Sequence, residues 1–330
     1  MNLSDGFTDM IEETHIPVML KEAVDALDVH AGGLYVDGTL GRAGHTLEIL
    51  RRGGRVIGID RDEQALEESA RRVEEAGFKV SSQSGGAWDL RLVHGRHGDL
   101  GKVVEQEGLG GVDGILLDLG VSSPQLDEPA RGFSFRMEGP LDMRMDRSCG
   151  VTAKDLVSSL NEAELVNLLR EYGEEPSARR IAKAIVSERG RSALSTTVDL
   201  AAVVERAVGR TGPHHPATRT FQALRMAVNG EVDDLRAALE GGLGALKWNG
   251  RFVVITFESI TDRIVKRFFA AHAGREVSLQ QGGSRWEGEL PKVRPVWRRA
   301  VVALSDEQAR NPRSRSAKLR AVVKFSEVGK

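Results

Sequence analysis

The segment Val36 to Thr46, VDGTLGRAGHT, limits the fold more than any other stretch of the chain. It overlaps an apolar run, Gly33 to Asp37 (GLYVD), that reads as a short buried strand, and it leads into a stretch of helical apolar period, His45 to Leu50. Strand, glycine-rich turn and helix in that order is the context a nucleotide or cofactor loop requires. Gly38, Gly41 and Gly44 permit positive φ and let a ligand come close to the backbone. The GxGxxG spacing of dinucleotide binders and the Lys-Ser/Thr of a phosphate loop are both missing, which disfavours phosphate. An ordinary tight turn is the competing reading of the glycines alone.

Further strands follow at helix-length intervals. Arg55 to Asp60 (RVIGID), Arg91 to His94 (RLVH) and Gly114 to Leu119 (GILLDL) read as strands, with a helix over Glu63 to Glu75. The last of these is apolar without alternation, as a central strand covered on both faces should be. Ser81 to Ala87 (SSQSGGA) has loop composition. Strands separated by helices predict a parallel sheet with right-handed crossovers. From Val151 to about Gly209 the pattern is wholly helical: Asn161 and Glu164 form a capping-box pair, Gly173 and Gly190 stand as helix stops, and Thr197 as a cap. Sheet character returns with a helix over Glu231 to Leu246, a strand over Gly250 to Phe257, a helix over Arg263 to Phe269 and a possible strand over Val301 to Leu304. The expected organisation is a Rossmann-like α/β domain begun by residues 1–130, interrupted by a helical domain over 131–215, and completed by 216–330 with a basic C-terminal tail.

Two acids give the glycine turn a chemical context. Asp60 ends the second strand, where a carboxylate can accept both ribose hydroxyls of an adenosine; a helix cap is the plain alternative. Loop and acid together suit a nicotinamide dinucleotide or S-adenosylmethionine. Asp118 closes the GILLDL strand and is followed by Ser122-Ser123-Pro124, similar to the short polar-Pro loop with which exocyclic-amine methyltransferases hold a target amino group, but without its second proline and aromatic.

Composition narrows the classes. Aromatics make up 5% of the 330 residues, too few for a broad base-stacking sheet. One cysteine, Cys149, excludes an internal disulfide and a cysteine-cluster metal site, and the histidines offer no clear ligand set, so no metal is expected. No run approaches the roughly 20 apolar residues that span a bilayer, and the first residues lack a signal-peptide pattern; a cytoplasmic protein is expected. Net charge is −2, yet Arg310, Arg313, Arg315, Lys318, Arg320 and Lys324 follow one another with no acid between them. That run reads as a solvated tail or as a phosphate-contacting patch.

With these motifs in hand, the chain resembles the bacterial 16S rRNA (cytosine-N4)-methyltransferases that act on a decoding-centre cytidine. The resemblance is carried by HIPVML from His15, VDGTLGRAGHT, GIDRD from Gly58, the long block from Gly114 to Asp146, GEEPSARRIAKAI from Gly173, HPATRTFQALRMAVNGEV from His215, VVITFESITDRIVKRF from Val253 and NPRSRSAKLR from Asn311. It implies a methyltransferase fold with a helical insertion, S-adenosyl-L-methionine as cofactor, and 16S rRNA or the small ribosomal subunit as partner, with a homodimer as a further possibility. By motif position the donor-binding residues fall on Ala43, Gly44, His45, Asp60, His97, Asp118 and Gln125. Glu258 and Thr261 depart from the His and Glu common in the family.

The implied reaction is in-line methyl transfer to cytosine N4, whose conjugated lone pair is a poor nucleophile and benefits from a proton acceptor. Candidates are Asp118, Ser122 and Asp142. RNA contacts are expected from Arg131, Arg136, Arg144, Arg219, Arg225, Arg313, Arg315, Lys318 and Arg320, and the base must be unstacked to reach the donor. A catalytically silent RNA-binding or ribosome-assembly factor, and an NAD-dependent oxidoreductase, are the alternatives.

Overall fold

The computed structural model describes residues 17–210, 212, 214–278, 284–287 and 291–325, with side chains undescribed over 275–290. His15 and Ile16 of the HIPVML motif lie outside them. The strands are β1 (Leu34–Asp37), β2 (Arg55–Asp60), β3 (Val80–Ser81), β4 (Leu90–His94), β5 (Val112–Asp118), β6 (Leu246–Thr256), β7 (Arg275–Ser278), β8 (Ser284–Glu287), β9 (Val293–Pro295), β10 (Val301–Val302) and β11 (Lys318–Lys324). All but the β7–β8 hairpin join one sheet of order β10-β11-β6-β5-β1-β2-β4-β3, with β9 on β11 as well. From β3 to β6 every pairing is parallel. β11 runs antiparallel to β6.

The sheet sorts its apolar residues by pleat. On β5, Leu116 joins one face while Ile115 and Leu117 join the other; on β6, Val253 and Ile255 oppose Phe252 and Val254. Helices α1 (Leu20–Leu27), α2 (Gly44–Arg51) and α3 (Glu63–Glu75) cover the first face. Helices α4 (Leu100–Gln106), α11 (Glu231–Ala245) and α12 (Ser259–Ala273) cover the second through Leu100, Leu235, Leu239, Val265 and Phe269. Burial of each large apolar side chain contributes about 1.5–3 kcal/mol, so the two faces hold the sheet without help from disulfides.

After β5 the chain forms α5 (Ser123–Asp127), then α6 (Ala153–Ser159), α7 (Glu162–Gly173), α8 (Ala178–Arg189), α9 (Thr197–Val208) and α10 (Thr218–Asn229). These helices share a separate core that extends from Phe133 to Leu224. Their starts are fixed by side chains: Glu164 N donates to Asn161 Oδ1 at 3.0 Å and Asn161 N to Glu164 Oε2 at 2.7 Å. The helix α7 ends at Gly173 as expected, where a Cβ would come within 2.7 Å of Arg219 O on α10, with Glu174 taking the left-handed C-cap. One local expectation is corrected. Thr196, not Thr197, is the N-cap of α9; Thr197 Oγ1 is occupied by Gly139 N and Met137 O.

The basic C-terminal segment is not a solvated tail. Residues 305–324 form α13 (Ser305–Arg310), a 3-10 turn (Pro312–Ser316) and β11. In β11, Leu319, Ala321 and Val322 are buried, so the strand is held by its apolar residues while Lys318 and Arg320 emerge at the sides. The Val301 to Leu304 strand is shorter than expected, at Val301–Val302. Ser81 of the expected loop pairs with Arg91 as part of β3.

Gly139 marks how tightly the segment after α5 is folded. A Cβ there would lie 1.9 Å from Pro129 O, backbone against backbone. Gly139→Ala is expected to cost about 1–3 kcal/mol, read as a lowered urea midpoint; an unchanged midpoint would show that this loop yields freely.

Candidate active site

The carboxyl ends of β1, β2 and β5 bring Asp37, Asp60 and Asp118 to one edge of the sheet. The glycine turn spans this edge. Gly38 N donates to Leu116 O at 2.9 Å, and Leu40 N to Ile59 O at 3.1 Å, which stitches the turn across three strands. Gly41 and Ala43 both have positive φ. For Ala43 this is a strained conformation, held by complete burial and by Ala43 N donating to Leu40 O. Gly44 is needed for a neighbour within the chain: a Cβ would stand 2.3 Å from Pro17 Cγ.

Asp37 was not singled out from the sequence, although it lies within the opening motif. Its buried carboxylate accepts from Thr39 N at 3.2 Å and Thr46 Oγ1 at 2.8 Å, tying both ends of the turn to β1. Asp60 accepts from Gly41 N at 2.8 Å and Asp62 N at 2.9 Å. Burial pushes its carboxyl up, partly offset by those N–H donors. Each oxygen of an ionised carboxylate has a second lone pair, so two acceptor positions are left for hydroxyls.

Asp118 also has a strongly perturbed carboxyl. Its Oδ1 is buried without a protein partner among the described residues, and its Oδ2 lies 3.9 Å from His45 Nδ1. Burial, reinforced by the charge of Asp37, raises it to about 7; burial also raises Asp37 to about 6. His45 Nε2 stands 3.1 Å from Val18 O, which connects α2 to the chain just before α1.

Around this edge lie the other expected donor residues. Gln125 receives Ser122 N at 3.0 Å and gives Nε2 to Asp62 Oδ2 at 3.1 Å, so α5 is anchored to the turn after β2. His97, which follows β4, is close to Gly38: a Cβ on that glycine would sit 3.4 Å from His97 Cβ. Its Nδ1 is 3.4 Å from Asp234 Oδ2, its Nε2 is buried without a partner among the described residues, and burial depresses the ring to about 4. Asp234 also pairs with Arg61, joining the turns after β2 and β4 to α11.

Not every candidate fits its expected use. Asp142 is gripped by Arg144 through Nε at 2.8 Å and Nη2 at 3.0 Å. Burial alone would raise its carboxyl, but Arg144 brings it below the ordinary range and makes it a poor proton acceptor. Ser122 heads α5 in a capping box with Gln125, which gives it a structural task. Arg131 is 3% exposed and reaches Asp62 at 2.8 Å and Met145 O at 2.9 Å; it closes the fold and is withdrawn from the expected RNA contacts. Arg225 is withdrawn for the same reason, being buried between Glu231 and Glu258. Arg144 is bound to Asp142, Arg320 and Lys318 to Asp262, and Arg313 to Asp127, so these cations are at least partly neutralised. Arg219 gives Nη1 to Glu174 O but stays exposed, as do Arg136 and Arg315.

Glu258, at the family departure, supplies Oε1 to Arg225 at 3.0 Å while its Oε2 is buried and unpartnered among the described residues. Thr261 Oγ1 donates to Glu258 O at 3.1 Å. Both positions therefore build the start of α12. The sequence offered no sign that Arg225 would be shared by two carboxylates.

The chain has close relatives among known proteins. The model of the MraW methylase family matches residues 12–325. A relative from Geobacter sp. (strain M21), "Ribosomal RNA small subunit methyltransferase H", is 45% identical over 317 residues, covering 94% of this chain and 98% of its own. A protein of the same name from Bradyrhizobium diazoefficiens is 46% identical over 323 residues, covering 96% and 93%. Among the described residues no helix is long and apolar enough to cross a membrane.

Proposed function

Because the chain belongs to the MraW methylase family, we propose that it methylates small-subunit ribosomal RNA from S-adenosylmethionine, at the exocyclic N4 of a decoding-centre cytidine in 16S rRNA. The observation that carries the reading is the buried, unpartnered Oδ1 of Asp118 at the same sheet edge as Asp60 and the glycine turn. An orphaned acceptor there is costly unless a ligand completes it. The residues fit an S-adenosyl group: Asp60 has acceptor positions for ribose hydroxyls, and the Ala43-Gly44-His45 turn, His97 and Gln125 enclose the remainder. When bound, S-adenosylmethionine supplies an electrophilic methyl group on a sulfonium.

The chain's own contribution is alignment and proton management. The loop at α5, fixed by the Ser122–Gln125 capping box, orients the amino group. We assign Asp118 as the acceptor of the N4 proton as positive charge develops there. Its raised carboxyl, at about 7, is matched to accepting a proton near neutral pH. Exclusion of water and fixed orientation add to this, and well-aligned reactions gain roughly 7–11 kcal/mol.

The assignment has a pH signature. A base is active when ionised, so kcat/KM should climb as pH rises through about 7 and level off above it. A rate that is flat between pH 6 and 8 would remove Asp118 from this role. The reading as a whole is tested by incubating the protein with methyl-labelled S-adenosylmethionine and unmodified small subunits. Label is expected in the RNA; RNA without label, whether supplied free or as particles, contradicts it.

A further inference from the structure

We propose that residues 294–299, the end of β9 and the bulge that leads from it toward β10, form a docking surface for unpaired RNA flanking the target nucleotide. This rests on the RNA-methylating reading above and names where the substrate is gripped away from the reacting base.

The bulge is pinned at both ends and open in the middle. Pro295 pairs with Val322 and Val301 with Leu319, both on the outer edge of β11, and Val296 N donates to Ala321 O at 2.9 Å. Val296 packs against the core of the first sheet face. Trp297, the next residue, is turned outward and is 37% exposed. Two other tryptophans are engaged: Trp88 lies buried under the Arg55 guanidinium at 4.1 Å, and Trp248 faces Lys324 Nζ at 5.2 Å. Trp297 has no ring or cation partner among the described residues.

Arg294, Arg298 and Arg299 flank it in the sequence, all exposed. Among the described residues none of them is ion-paired. Arg294 keeps only a loose ring contact, 5.7 Å from the Phe325 centroid. This sets them apart from Arg131, Arg144, Arg225, Arg313 and Arg320, each of which is paired with a carboxylate. Cations without protein counter-ions beside an open indole offer phosphates a charge partner and a base a stacking face. Unpaired RNA is the class that exposes both.

The bulge is also linked to the site through the sheet. β10 leads from it to Val302, opposite Lys318, which pairs with Thr256 at the carboxyl end of β6. Arg313, just before β11, bonds to Asp127 at the end of α5 at 3.0 Å. The exposed Val302 and Leu304 beside the bulge are the feature a protein partner would use instead.

The test compares full-length wild type with Trp297→Ala and Arg298→Ala/Arg299→Ala. Binding to unmodified small-subunit RNA is measured across a salt series, together with S-adenosylhomocysteine binding and methylation kinetics. Both variants should keep the S-adenosylhomocysteine affinity and kcat at saturating RNA, while KM for RNA rises about tenfold, as loss of a stacked base or two phosphate contacts allows. The slope of log affinity against log salt should fall by about 1.4 in the double variant, for two single-strand phosphate contacts. Trp297→Phe should recover most of the affinity, and Arg298→Lys/Arg299→Lys most of the slope. Unchanged RNA affinity and slope would overturn the proposal, as would variants that alter only self-association in sedimentation. Weaker RNA binding in the variants alongside a wild type that methylates no RNA would leave the docking surface standing and remove the methylation reading. A wild type that does not bind RNA at all would remove both.

Discussion

Arg225→Met should destabilise the protein by about 3–5 kcal/mol, the usual cost of removing one partner from a buried ionic cluster. The guanidinium is 8% exposed and reaches three carboxylate oxygens: both of Glu231, at 2.8 Å each, and Glu258 Oε1 at 3.0 Å. Burial would lower the basicity of Arg225, but the two acids outweigh it and hold the proton firmly; burial in turn raises Glu231. Without Arg225 the two acids would be buried side by side and would have to take up protons or drag water inside. The cluster ties α10 to α11 and to the start of α12, so the helical core and the sheet should loosen together. Urea unfolding of purified variant and wild type measures the effect. A loss under about 1 kcal/mol would mean that the cluster is already hydrated.

Asp118→Asn should reduce methyl transfer by about 10²–10³-fold, the range for removing one group that stabilises developing charge, and yet make the fold less sensitive to pH. In the folded chain the Asp118 carboxyl titrates at about 7, well above the ordinary value of 3.8. Between those pH values the native state binds a proton that the unfolded state has lost, so stability falls as pH rises through the window. Wild type is therefore expected to lose stability between pH 5 and about 7, measured by urea midpoints, and Asp118→Asn to lose less. Asp37, raised to about 6, contributes a slope of the same sign and persists in the variant. Full activity in Asp118→Asn, or a pH slope identical to wild type, would contradict the assignment. Stability given up at this sheet edge is what a site awaiting a ligand should show.

Much of the α/β frame was legible because its signals are local. The helix over Glu63 to Glu75 and the strand over Arg55 to Asp60 coincide with the observed elements, since apolar runs and helical period report burial directly. What sequence reasoning lacked was pairing. It saw Arg310 to Lys324 as a charge run because β11 buries only Leu319, Ala321 and Val322 between its cations. It took Arg131 and Arg225 for surface cations because nothing in their neighbourhood announces Asp62, Glu231 or Glu258 as partners. Asp60 and Asp118 could be anticipated, since strand ends in parallel sheets are where ligands bind. Asp37 could have been found by the same rule. The perturbed state of Asp118 could not, because it depends on the neighbouring strand's Asp37 and on burial by the turn.

The measurement that bears most directly on the central claim is nucleoside analysis of small-subunit RNA recovered after incubation with the protein and S-adenosylmethionine. N4-methylcytidine should form at a single decoding-centre position with wild type and fall about 10²-fold or more with Asp118→Asn. A different methylated nucleoside, or N4-methylcytidine formed equally by both proteins, would contradict the site described for this chain.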